Sequence, residues 1–298
     1  MAAVKTKSKT VKPKDVGKYI DPRTDFGFKR LFGDKELMMA FLNAVLDVKD
    51  KIVELHYKNT VRTGVSKDDR SAIFDLYCTT GNGEQIIVEM QNIPHEYFKD
   101  RIVHYASRLI QEQPKKGKGW DYMLPPVYSI NIVDYKLDKE SKTDDYLSII
   151  KLMNCKTNEV FYDKLTLVFL ELPRFKIKEE DLKTDVEKWM YALKHLPELN
   201  KMPAKLRARI FRKLFELAQI AKMTNEQQTD YYKSLHDMSI VKIQFGKMEK
   251  TIADQAAKIA EYERRFGALG DTTAHKPARP TKVRARNSAK TQAAADVW

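Results

Sequence analysis

The chain is best read outward from residues 72–91, AIFDLYCTTGNGEQIIVEMQ. Two strand-like runs flank Gly81-Asn82-Gly83, residue types that suit a three-residue hairpin loop with positive φ angles. Taking Asn82 as the centre pairs Thr80 with Glu84 and, further along, Asp75 with Glu89. Directly opposed residues on one face of an antiparallel pair have Cβ atoms about 4.5–5.5 Å apart. The predicted hairpin therefore sets two carboxylates side by side. Side chains alternate along a strand, so Gln91 emerges on the face of Glu89, one step on.

Opposed like charges repel, and these lie among Ile73, Phe74, Leu76, Ile86, Ile87 and Val88. A divalent cation would remove the conflict. Magnesium takes oxygen ligands, commonly one or two carboxylates plus waters and substrate phosphate, and manganese is the alternative. A metal so held can activate water and stabilise charge on a phosphodiester. Gln91 could orient the water, although an amide cannot act as a general base. A bulge in the loop would slip the register by one and send one acid to the other face, leaving two ordinary strand residues.

On the N-terminal side, Thr24 is the expected N-cap of a helix over residues 25–32, with Gly33 as its stop. Asp34 caps a second helix over residues 35–46, with Leu37, Phe41, Ala44 and Val45 at core-facing spacing. Strands are expected at 52–57, 72–79, 85–91, 128–135 and 164–172, with a helix over 97–113 between the third and fourth. This alternation predicts an α/β domain with a mixed sheet flanked by helices. From residue 176 the pattern is helical, with segments at 179–195, 205–221, 225–235 and 238–266. The last has Ile252, Gln255, Ala256, Ile259 and Tyr262 at seam spacing, a weak coiled-coil pattern. The predicted division is a basic disordered tail over 1–18, an α/β domain over 19–175, a helical region over 176–236, a long helix over 237–268 and a second basic tail over 269–298.

Composition narrows the function classes. The net charge of +13 falls to +3 on residues 15–271 once the +5 of residues 1–14 and the +5 of residues 272–298 are set aside, so the body is only mildly basic. The tails suit sequence-independent contacts to polyanions. Cys78 and Cys155 alone give neither a disulfide framework nor a zinc-binding CxxC cluster. The first residues show no secretory apolar stretch, and the apolar run near Leu165 is too short to span a bilayer, so a cytoplasmic protein without a membrane segment is expected.

Asp75, the turn, and Glu89-Met90-Gln91 resemble the D…ExQ variant of the PD-(D/E)XK nuclease signature, with glutamine in place of the usual lysine. The chain more specifically resembles the Rpn-type recombination-promoting nucleases, or PD-(D/E)XK family transposases. The matching text is Thr24 to Gly33 (TDFGFKRLFG), Phe74-Asp75, and Val88-Glu89-Met90-Gln91. It continues in Arg101, Tyr105, Ser107, Gln113, Gly119, Tyr122, Leu124 to Pro126, and the strand opening at Ser129. The resemblance covers roughly residues 20–250. It implies a restriction-endonuclease-like core that binds magnesium and cuts DNA, with Asp75 and Glu89 as metal ligands and Gln91 beside them. The superfamily's first-helix acid corresponds to Asp25, with Asp34 and Glu36 as competitors whose ordinary role is helix capping.

Lys29 would reach a phosphate or the site, or simply snorkel. Arg101, His104, Arg108 and Gln111 recur at helical spacing and form either a phosphate-contacting face, with Arg101 and Arg108 on DNA, or a solvated one. The pattern shows no third acid for strand-transfer chemistry. A homodimer would suit cutting of both strands. The rival reading is a non-catalytic DNA- or protein-binding module on the same scaffold.

Overall fold

The computed structural model describes residues 17–46, 50–62, 72–113, 121–138 and 143–267. The expected tail over 269–298 falls outside these residues, as does the one over 1–18 apart from Gly17 and Lys18. The described chain runs α1 (Asp25–Phe32), α2 (Lys35–Val45), β1 (Leu55–Tyr57), β2 (Val61–Arg62), β3 (Ala72–Ile73), β4 (Leu76–Thr80), β5 (Gln85–Gln91), α3 (Phe98–Gln111), β6 (Val127–Val133), β7 (Leu147–Met153) and β8 (Val160–Glu171). The helices α4 (Asp185–His195), α5 (Arg209–Ala218) and α6 (Asn225–Phe266) follow.

Six strands form a mixed sheet in the order β1-β4-β5-β6-β8-β7, and β2 and β3 pair separately. The β4–β5 hairpin closes as expected: Thr80 N–H donates to the Glu84 carbonyl, and Gly83 takes the left-handed conformation at φ 85°. Asn82 and Gly81 do not share that conformation, so one glycine carries the whole conformational demand of the turn. The register pairs Leu76 with Val88 and Cys78 with Ile86, as centring on Asn82 requires. Strand β5 then pairs parallel to β6, and β6 parallel to β8. The parallel step from β5 to β6 requires a crossover, and α3 supplies it.

The sheet's two faces differ. Ile86, Val88 and Met90 of β5, with Ile130, Ile132, Val168 and Leu170, point into a large core shared with α1, α2, α4 and α5. Trp189 anchors it against Phe32, Phe41 and Phe211 at ring separations of 5.1–5.9 Å. Tyr231, from the first part of α6, is also buried there and accepts the Asp21 N–H at 2.9 Å. The opposite face carries Ile87 and Val127 against Ala106 and Leu109 of α3, and Val133 and Phe169 against Phe98 and Ile102. Helices α4 and α5 and the start of α6 thus join the sheet's core, and the described residues up to Lys247 form one compact unit, those from Met248 another.

Thr24 and Asp34 cap α1 and α2 as expected, Thr24 Oγ1 accepting from Gly27 N–H and Asp34 from Glu36 and Leu37. A Cβ on Gly27 would meet the Asp21 carbonyl at 2.1 Å, so this tight entry into α1 tolerates only glycine. Several boundaries differ from expectation. The strand expected over 72–79 is broken at Asp75, which lies in a bend between β3 and β4. Strand β7 is absent from the sequence reading because it is exposed and apolar on both faces, including Ile149, Ile150, Leu152 and Met153, and so lacks alternation. Its pairing with β8 shifts register on either side of Leu152. The two helices expected over 225–235 and 238–266 are one, since residues 235–238 hold neither proline nor glycine. Within the second unit, Ile252, Ile259 and Tyr262 of the expected seam are exposed. No described helix is long and apolar enough to cross a membrane.

Candidate active site

Asp75 and Glu89 meet at the point where β4 begins. The bend takes Asp75 out of the regular ladder, and its backbone N–H donates instead to Glu89 Oε1 at 3.1 Å. In return Asp75 Oδ2 accepts the Met90 N–H at 2.7 Å. Each carboxylate is thus fixed by a backbone donor belonging to the other's strand. Each also keeps a second oxygen with no hydrogen-bond donor among the described residues. Glu89 is only 3% exposed and lies on the α3 side of β5, the side on which Ile87 and Val133 meet the apolar residues of α3.

Burial followed by the charge of Asp75 pushes Glu89 up to about 8, against an ordinary value near 4.5. Burial is also the main cause raising Asp75; the Met90 hydrogen bond opposes it, Asp25 adds to it, and Lys29 and Arg101 oppose it. Two acids driven toward protonation in one apolar pocket are the environment a divalent cation relieves. Among the described residues no three His, Cys, Asp or Glu cluster as a complete protein cage. The donor set is therefore two carboxylates, oxygen ligands that fit magnesium or manganese better than a structural zinc.

Gln91 ends β5 level with Val133, half-buried, and strand alternation puts it on the Glu89 side. Asp25 and Lys29 sit on α1, exposed and joined to each other by a 2.7 Å ion pair, with both charges bearing on Asp75. Their helix is tied to the sheet by a polar network: Arg23 pairs with Asp21 at 2.8 Å and with Asp134 at 3.5 Å, Lys242 pairs with Asp134 at 2.6 Å, and Asn92 Nδ2 donates to the Arg23 carbonyl. The competing acids are engaged elsewhere. Asp34 caps α2 and pairs with Lys213 at 2.8 Å, and Glu36 pairs with Arg209 and Lys213, each at 2.9 Å.

The polar face expected on α3 divides. His104 and Gln111 are exposed, Arg108 is buried, and Arg101 is half-buried with a charge that bears on both site carboxylates. Tyr105 packs edge-on against Phe74 at 5.1 Å. A groove of about 860 Å³ between α1 and the first part of α6 shares Asp25 and Lys29 with the site and adds Arg30, Lys233, Asp230 and Asp237. Tyr135, just after β6, has a buried hydroxyl with no partner and also feels Arg101. Sequence reading missed it because YSINIVDY reads as plain strand up to its last residue.

No curated protein and no solved structure gives a significant match to the chain. A family model described as PD-(D/E)XK nuclease family transposase matches residues 22–242, from the entry to α1 to the first part of α6. The mixed sheet, its flanking helices and the D…ExQ hairpin all lie inside that span. With well over half of its length matched, the chain belongs to the PD-(D/E)XK nuclease family transposases.

Proposed function

We propose that the protein is a metal-dependent DNA endonuclease that hydrolyses phosphodiester bonds, in the setting of recombination or mobile-element activity. One observation carries this reading: a buried Glu89 and a half-buried Asp75, each accepting the other segment's backbone N–H, stand together with no cation ion-paired to either among the described residues. Both residues would hold Mg²⁺, or Mn²⁺, which when bound activates water and neutralises charge developing on the phosphate. Gln91 holds the attacking water by its amide, without taking its proton. Asp25 and Lys29 flank the pair from α1, where Lys29 balances Asp25 and offers a cation to the DNA backbone. The mildly basic body supports backbone contacts rather than base readout; Arg108, expected to share in them, is buried and is left out of that role. Two copies would be needed for concerted attack on both strands, since one carboxylate pair serves one strand.

Supercoiled plasmid incubated with wild type, Asp75→Ala and Glu89→Ala, in Mg²⁺ or EDTA, tests the assignment. Nicking and linearisation are expected for wild type with Mg²⁺ alone. Retained cutting by both variants would sink the site, and DNA binding without cutting by wild type would favour the non-catalytic scaffold.

A further inference from the structure

Strand β5 ends in Glu89-Met90-Gln91, so the catalytic strand offers no positive charge to a phosphate gaining negative charge in the transition state. The structure brings a cation to the same place from another element. Arg101 stands in the first half of α3, its guanidinium carbon 5.2 Å from the ring centre of Phe98 and 5.9 Å from that of Tyr105. The two rings, themselves packed on Phe169 and Phe74, hold the head of a long side chain in one place. Among the described residues its buried Nε and Nη2 have no hydrogen-bond partner, and no ion pair joins it to Asp75 or Glu89. The Tyr135 hydroxyl at the end of β6 is buried and unpartnered as well, and Arg101 acts on it electrostatically as it does on the two carboxylates. Buried donors without partners are rare in folded proteins because each forfeits its hydration. Ring contacts gather them: Phe98, under Arg101, lies 6.1 Å from the ring of Tyr135, and Tyr105, on its other side, packs on Phe74, the neighbour of Asp75, so three such donors near the acidic pair suit an anion brought from outside.

We propose that Arg101 is a catalytic residue that grips the scissile phosphate of DNA through Nε and Nη2, with the Tyr135 hydroxyl as a further donor, so that α3 supplies the cation β5 lacks. This rests on the nuclease reading. A guanidinium suits the task because its planar fork matches two phosphate oxygens. Standing clear of the carboxylates, it leaves their oxygens to the metal.

The test measures single-turnover nicking of supercoiled plasmid at saturating protein for wild type, Arg101→Ala, Arg101→Lys and Asp75→Ala, with Ca²⁺ binding to the DNA-free proteins followed by calorimetry. Arg101→Ala is expected to cut about 10²–10³-fold more slowly, the loss typical of removing one transition-state donor. Arg101→Lys is expected to recover part of that, and added guanidinium at low millimolar concentration to rescue Arg101→Ala. Ca²⁺ affinity should be unchanged or tighter in both, since a positive charge beside the site is removed or kept. If Asp75→Ala is inactive while Arg101→Ala, or Arg101→Lys where the alanine variant does not fold, cuts within about threefold of wild type, the inference alone fails. Slow cutting with weakened Ca²⁺ binding and no guanidinium rescue also overturns it, since Arg101 then only supports the fold. If wild type does not cut, or Asp75→Ala cuts as wild type does, the nuclease reading falls and takes this inference with it.

Discussion

Two buried acidic sites lie on the same side of the sheet, on strands that flank β6, and they are solved differently. At the end of β8, Glu171 Oε2 accepts Arg174 Nε at 2.8 Å and the Leu137 N–H at 2.8 Å. Arg174, itself buried, gives its remaining donors to the carbonyls of Asp138 and Thr143. Every charge there has a protein answer. On β5, Glu89 is as deeply buried and has Asp75 for company, while the Arg101 guanidinium has donors without a partner among the described residues. Burial is common to both, so burial does not mark function. What separates them is whether the protein satisfies the charge or leaves that to a ligand.

The contrast can be broken in four ways. Glu89→Ala should reduce Mg²⁺-dependent cleavage by about 10³-fold or more, since metal stabilisation of the transition state is worth several kcal/mol, with an unchanged circular dichroism spectrum. Arg174→Met should act on stability instead. Removing one partner of a buried pair costs about 3–5 kcal/mol, read as a lower urea midpoint, while the fraction that remains folded still cuts. A stable Arg174→Met that has lost cleavage would reverse the assignment of the two sites.

Third, Glu89→Gln should stabilise the metal-free protein at alkaline pH. An acid raised from about 4.5 to about 8 on folding contributes stability that is fully present below pH 4.5 and is lost as pH climbs through 8. Melting temperatures in EDTA should therefore fall between about pH 4.5 and 8 and level off above that for wild type, and stay flatter for Glu89→Gln. Mg²⁺ should restore wild type only. The smallest effect is expected for Asp25→Asn: less than about tenfold in rate, with the acidic limb of the pH profile moved to lower pH, because Asp25 raises Asp75. A larger loss would make Asp25 a metal ligand.

The hairpin was legible because Gly81-Asn82-Gly83 fixes its centre and a period of two does the rest, which is why Asp75 and Glu89 could be paired without coordinates. The caps at Thr24 and Asp34 were legible for the same local reason. The bend at Asp75 was not, because alternation assumes a continuous strand and cannot see that a side-chain acceptor replaces the ladder there. Nor could spacing separate Arg101 from His104 and Gln111. All three share a helical face, and only the placement of α3 on the sheet leaves Arg101 half-buried, with its charge bearing on Asp75 and Glu89, and the other two exposed. Tyr135 belongs to the same class, a residue whose meaning comes from a neighbour more than thirty positions away.

The outer strand β7 bears on how the protein behaves when crowded with copies of itself. An edge strand with apolar side chains on both faces is a template on which other chains can stack into fibrils. Here the register shifts around Leu152 coil the outer ribbon, and Lys151 sets a charge midway along it. Both are known devices for denying a flat, uninterrupted docking edge. The apolar faces that hid β7 from pattern reading would make it a template for stacking, and the register shifts and Lys151 work against that.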